Sequence, residues 1–76
     1  MPHVIVKLLP GRSDQQKAKI AEAVTKAIMA TANCAETSVS VGIEDVASDE
    51  WTEKVYQPDI TCKPDTIYKK PGYNPL

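Results

Sequence analysis

The chain has 76 residues, with 9 basic and 10 acidic side chains and a formal charge of −1. That length allows one domain, expected over residues 1–76, and a chain this short buries only about 60% of the surface its unfolded form exposes. The charge is small and spread along the chain, so there is no basic footprint for nucleic acid and no basic face for a membrane.

Small folds make up a thin core with disulfides, a metal or oligomerisation. The two cysteines, Cys34 and Cys62, and the one histidine, His3, fall in no CxxC or CxH spacing, so no metal site is expected. No signal peptide or transmembrane run is visible, which makes the cytoplasm the expected compartment and free thiols the expected state. Oligomerisation is left as the supplement.

In chain order, Pro2 stands behind the initiator Met1, which is usually removed before a residue this small. Removal leaves a free secondary amine. An α-amino group titrates at roughly 7.7–8.0, and desolvation lowers that by disfavouring the charged form. Such a group can act as a general acid or base near neutrality. The plainer reading is that Pro2 opens an edge strand, where a missing N–H costs little.

Residues 3–9 read as that strand, ended by Pro10-Gly11. Ser13 is the expected N-cap of a helix, with Gln16 completing a capping box and Asp14 in the first turn. Ile20, Val24, Ala27, Ile28 and Thr31 then share one helical face. Asn33 can end the helix because asparagine tolerates the left-handed conformation. A second strand is predicted over residues 38–44, with Val39, Val41 and Ile43 alternating against Ser40, Gly42 and Glu44. Two strands joined by one long helix form a β-α-β unit with parallel strands and a right-handed crossover. The helix covers one sheet face only, so the other face and one edge ask for a partner subunit.

A short second helix is predicted from Ser48-Asp49-Glu50, carrying Trp51, Val55 and Tyr56, and stopped by Pro58. The rest reads as an ordered arm that buries Ile60, Ile67, Tyr68 and Tyr73, with a disordered tail as the competing reading, and a type II turn fits Lys70-Pro71-Gly72-Tyr73. The fold class is therefore α+β.

Several of these features occur together in a known order. Pro2 stands behind a removable Met, a strand follows, then Gly11-Arg12-Ser13-Asp14 with Gln16-Lys17, an amphipathic helix, and Thr37-Ser38-Val39 opening the second strand. In this the chain resembles the 4-oxalocrotonate tautomerase family over residues 2 to about 51. The resemblance implies that Pro2 is the catalytic base of a cofactor-independent keto–enol isomerase acting on a small keto or enol acid. It implies that Arg12 binds a substrate carboxylate, a task suited to the planar guanidinium fork. Trp51 matches an aromatic residue that keeps the proline pocket apolar; a lone Trp in a small domain is also simply core.

Two departures from the family pattern qualify this. Ser40 occupies the position of a strand-two arginine that stabilises the developing oxyanion. A hydroxyl donates a hydrogen bond but supplies no charge, which favours a monoanionic substrate, of the arylpyruvate kind, over a doubly anionic dienol. The chain also ends in the Trp51–Ile60 segment and a Pro-rich tail rather than a glycine-rich hexamer-building segment. The resemblance is thus to the longer bacterial members and implies a homodimer rather than a hexamer. Two other readings stay open: a Pro2-dependent hydratase or dehalogenase, and a non-catalytic dimeric binding module. His3 is expected on the strand face opposite Pro2, as an interface or solvated residue rather than a proton shuttle. Neither cysteine has a base placed beside it by the sequence, so neither is expected to be a nucleophile.

Overall fold

A computed structural model describes all 76 residues and divides into two compact units, Met1–Asp45 and Val46–Leu76.

The first unit is the β-α-β element. Strand β1 spans His3–Leu8, helix α1 spans Asp14–Ala32 and strand β2 spans Ser40–Asp45. The strands pair in parallel, with His3 opposite Ser40, Ile5 opposite Gly42 and Leu8 opposite Asp45. β1 stops one residue before its predicted end, leaving Leu9 exposed. Gly11 has φ +126°, a conformation a side chain resists, and this lets the chain turn out of the strand toward the helix.

α1 begins as its sequence dictates. Ser13 caps it in extended conformation, its hydroxyl accepts from the Gln16 N–H at 3.1 Å, and the Gln16 side chain accepts the Ser13 N–H at 2.9 Å. It ends at Asn33, left-handed at φ 56°. The buried stripe differs from the expected one. Ile20, Val24 and Ile28 are half-buried together with Ala21, Thr25 and Met29, while Ala27 and Thr31 are exposed. The stripe is centred nearer Ala21 than Ala27, and Thr31, in the last turn, returns its hydroxyl to the Ala27 carbonyl.

β2 starts two residues later than predicted. Glu36–Ser38 form a single 3₁₀ turn, because the Ser38 N–H and hydroxyl both donate to the Ala35 carbonyl and draw the chain into a local loop. Lys17 of α1 reaches Asp45 of β2 at 2.9 Å. Asp45 shares the strand parity of Val41 and Ile43, so that face lies under the helix. His3, Ile5, Lys7 and Ser40, Gly42, Glu44 alternate onto the other face. No residue of this unit is fully buried.

The second unit is built on a 3₁₀ turn at Ser48–Glu50 followed by a helix over Thr52–Thr61. The sequence reading stops this helix at Pro58, but the helix runs past it as a π-helix, with the Cys62 N–H donating to the Gln57 carbonyl five residues back at 2.9 Å. The wider π turn moves aside the carbonyl that a proline ring strikes in an α-helix, and the missing proline N–H interrupts only one bond. Val55 and Tyr56 are the buried core of this unit.

The C-terminal arm folds back onto that core. The Tyr73 ring lies 5.7 Å from the Tyr56 ring, tilted by 51°. Three expectations for the arm fail, the first being burial of Tyr73, which stays 48% exposed. Tyr68 is fully exposed, projecting just beyond the 3₁₀ turn at Pro64–Thr66. Gly72 does not take the positive φ that a type II turn requires, so Lys70–Tyr73 is a bend and not that turn. Cys34 and Cys62 are free thiols. No helix is long and apolar enough to cross a membrane.

Candidate active site

Pro2 sits half-buried at the open end of β1. Its carbonyl accepts the Ser40 N–H at 3.2 Å, the first rung of the parallel ladder. Pro2 and Ser40 are therefore neighbours because both strands begin at the same end. Met1 is fully exposed and acylates the Pro2 nitrogen here. That amide stands in for the secondary amine of a processed chain and is not itself a base.

His3 joins this pair. It is exposed and directly opposite Ser40, and its Nδ1 lies 2.6 Å from Ser40 Oγ. The sequence reading treats His3 only as an interface or solvated residue. Strand register is the signal that pairs it with Ser40, and register needs the position of β2 relative to β1.

Arg12 is exposed, in the loop between Gly11 and the Ser13 cap, and it makes no hydrogen bond or ion pair. It lies beyond the far end of β1 from Pro2. The six residues of β1 span about 20 Å at roughly 3.3 Å each. One protomer thus brings Pro2, His3 and Ser40 together and holds Arg12 apart from them.

Trp51 belongs to the second unit. It is half-buried, and its indole N–H donates to the Tyr73 hydroxyl at 3.0 Å. An aromatic cluster of Trp51, Tyr73 and Tyr56 results, and Tyr73 is a member that the sequence reading treats only as something for the arm to bury. A groove of 450 Å³ also runs along α1, lined by Ala21, Thr25 and Met29 with Glu22, Lys26 and Glu36 at its margins. None of the candidate residues lines it.

Against known proteins, residues 2–54 match the family model described as tautomerase enzyme. The chain belongs to the tautomerase family. A tautomerase of this family is an isomerase. The match begins at Pro2, the residue on which the sequence reading places the chemistry. A probable tautomerase of Xylella fastidiosa is 38% identical over 76 residues, covering 100% of this chain and 93% of the relative. The tautomerase PptA of Cronobacter sakazakii is 36% identical over 74 residues, covering 96% and 97%.

Among solved structures, YwhB, a homologue of 4-oxalocrotonate tautomerase, superposes with a TM-score of 0.61 at 42% identity, covering 63% of this chain and 79% of that one. A 4-oxalocrotonate tautomerase isozyme from Methylibium petroleiphilum gives 0.63 at 34% identity, covering 66% and 81%. The α+β fold with two parallel strands and two helices is thus shared with these tautomerases. The PptA-type relatives match nearly the whole chain, whereas the solved homologues cover about two thirds of it.

Proposed function

We propose that this tautomerase, once Met1 is removed, uses the secondary amine of Pro2 as the general base in keto–enol isomerisation of a small 2-keto or enol acid. The observation that carries this reading is the position of Pro2: first residue of the family match, half-buried at the start of β1, its carbonyl accepting the Ser40 N–H. The neutral amine removes a proton from the carbon next to the carbonyl. The C–H electron pair becomes the new C=C bond and the carbonyl pair moves onto oxygen. The protonated amine then supplies the oxygen's proton, so the reaction is a balanced isomerisation with no external reagent.

Ser40 is the substrate-oxygen contact in this reading and Arg12 the carboxylate contact. Arg12 suits that role because no carboxylate of its own chain occupies it. Trp51 is the aromatic substrate contact in this reading, and its N–H is already satisfied by Tyr73. The working unit is a homodimer. Support for it comes from the half-covered sheet, where Ile5 is 55% exposed beside Gly42, and from the separation of Pro2 and Arg12 along β1.

The test is turnover of enolised 2-keto acids by protein whose intact mass proves loss of Met1. Pro2→Ala should lower kcat/KM by about 10²-fold or more, the usual contribution of a positioned base. The rate should rise with pH as the amine loses its proton. Undiminished turnover by Pro2→Ala refutes the reading. A rate that falls as the amine deprotonates points instead to acid chemistry, as in a hydratase or dehalogenase.

A further inference from the structure

His3 and Ser40 form a side-chain pair. They face each other across the parallel ladder, on the sheet face that α1 leaves open, at the strand end where Pro2 lies. Both side chains are exposed, so water could satisfy each of them separately. Their atoms nonetheless meet at 2.6 Å, at the short end of hydrogen-bond distances.

We propose that the Ser40 hydroxyl donates a hydrogen bond to the substrate oxygen that turns from carbonyl to enolate, and that His3 is the residue that positions it. This rests on Pro2 being the base. A serine hydroxyl has one hydrogen and two lone pairs. If His3 Nδ1 carried no proton, that single hydrogen would be spent on the imidazole. If Nδ1 is protonated, it donates to Ser40 Oγ, and the serine hydrogen is left to point at a ligand. The pairing then gives one oriented donor at the strand end where the base lies. A donor fixed before the reaction acts where negative charge develops and needs no reorganisation as the enolate forms.

The two residues have separable tasks. Ser40 touches the substrate and is a catalytic residue. His3 acts through Ser40 and needs only its Nδ1 for that. Asparagine carries an amide nitrogen at nearly the place of Nδ1 and lacks the rest of the ring. His3→Asn should therefore keep the pair, whereas His3→Ala should break it.

The experiment uses the processed protein and an enolised 2-keto acid that it turns over, with Pro2→Ala measured alongside. Ser40→Ala should lose about ten- to a hundredfold in kcat/KM, the worth of one hydrogen bond to an oxygen that gains charge, and the loss should fall on kcat more than on KM. His3→Ala should lose a similar factor, His3→Asn should recover most of it, and the double variant His3→Ala, Ser40→Ala should be no worse than either single one. His3 is the only histidine, so its ¹⁵N resonances in the unmutated protein report the tautomer without ambiguity. A proton on Nδ1 is expected. Full activity in Ser40→Ala, His3→Asn no better than His3→Ala, strictly additive losses, or an Nδ1 without a proton each overturn the proposal. If Pro2→Ala is itself fully active, the base assignment falls and takes this one with it. Pro2-dependent activity that ignores Ser40 overturns this one alone.

Discussion

Pro2 and Arg12 stand at opposite ends of β1, one before its first residue and the other past its last. A strand of six residues is about 20 Å long, more than a small keto acid and an arginine side chain can bridge. If both residues serve one substrate, Arg12 must come from a second protomer whose β1 runs the opposite way. Mixed dimers test this directly. A heterodimer of Pro2→Ala and Arg12→Ala chains then has one site missing both groups and one site intact. It should recover about half the activity of the unaltered dimer, by counting sites in a two-fold assembly. No recovery above the two inactive parents would mean that each site is built from one chain.

Arg12 has no partner in its own chain that its removal would strand, so Arg12→Ala should leave the fold intact. On a 2-keto acid it should cost about 1.5–3 kcal/mol of transition-state binding, the range for charge-assisted hydrogen bonds. The corresponding methyl ester should lose far less, because the recognised charge is absent. Equal losses on acid and ester, read from kcat/KM, would make Arg12 a structural residue.

The first unit contains no fully buried residue, although Val4, Val6, Val41 and Ile43 are half-covered. The open sheet face carries Ile5 against the bare backbone of Gly42, where an added Cβ would meet nothing within 4 Å. A second copy docked there would supply the missing cover. Obligate interfaces of this kind bury about 2,000 Å² or more in total. Sedimentation at low micromolar concentration should give a dimer, with no folded monomer persisting on dilution. An active monomer contradicts this, and a hexamer would show that the long C-terminal arm does not block higher assembly.

The legible parts of this fold are those written in local chemistry. Ser13 with Gln16, Asn33 at the end of α1 and the break at Gly11 follow from what each side chain can bond to or which φ it tolerates. The parallel pairing follows from one long helix between two apolar runs. Three features were not legible, each for a definable reason. Helix continuation through Pro58 depends on i→i+5 bonding, which the sequence pattern does not announce. The expected turn at Lys70–Tyr73 rests on Pro-Gly statistics, whereas Gly72 takes no positive φ and Tyr73 contacts Tyr56 and Trp51. The His3–Ser40 pair depends on register across 37 residues. Pro2, Ser40 and Arg12 could be named from the sequence, but only the strand direction shows that two of them share an end and the third does not.

The arm's docking offers a last prediction, independent of catalysis. Tyr73 is held twice, by its ring against Tyr56 and by its hydroxyl accepting the Trp51 N–H at 3.0 Å. Tyr73→Phe removes only the hydrogen bond, and at this partly exposed site water can take over the indole N–H. The cost should be about 0.5–1 kcal/mol. Tyr73→Ala also removes the ring pair, worth about 0.5–1.5 kcal/mol beyond its buried area. Melting temperatures should therefore fall in the order Tyr73→Phe, then Tyr73→Ala, with about 4–8 °C lost per kcal/mol in a domain this small. Trp51→Phe deletes the same bond together with part of the ring surface, so adding Tyr73→Phe to it should cost nothing further. Melting curves unmoved by Tyr73→Ala would mean that the arm is not docked on Tyr56 in solution.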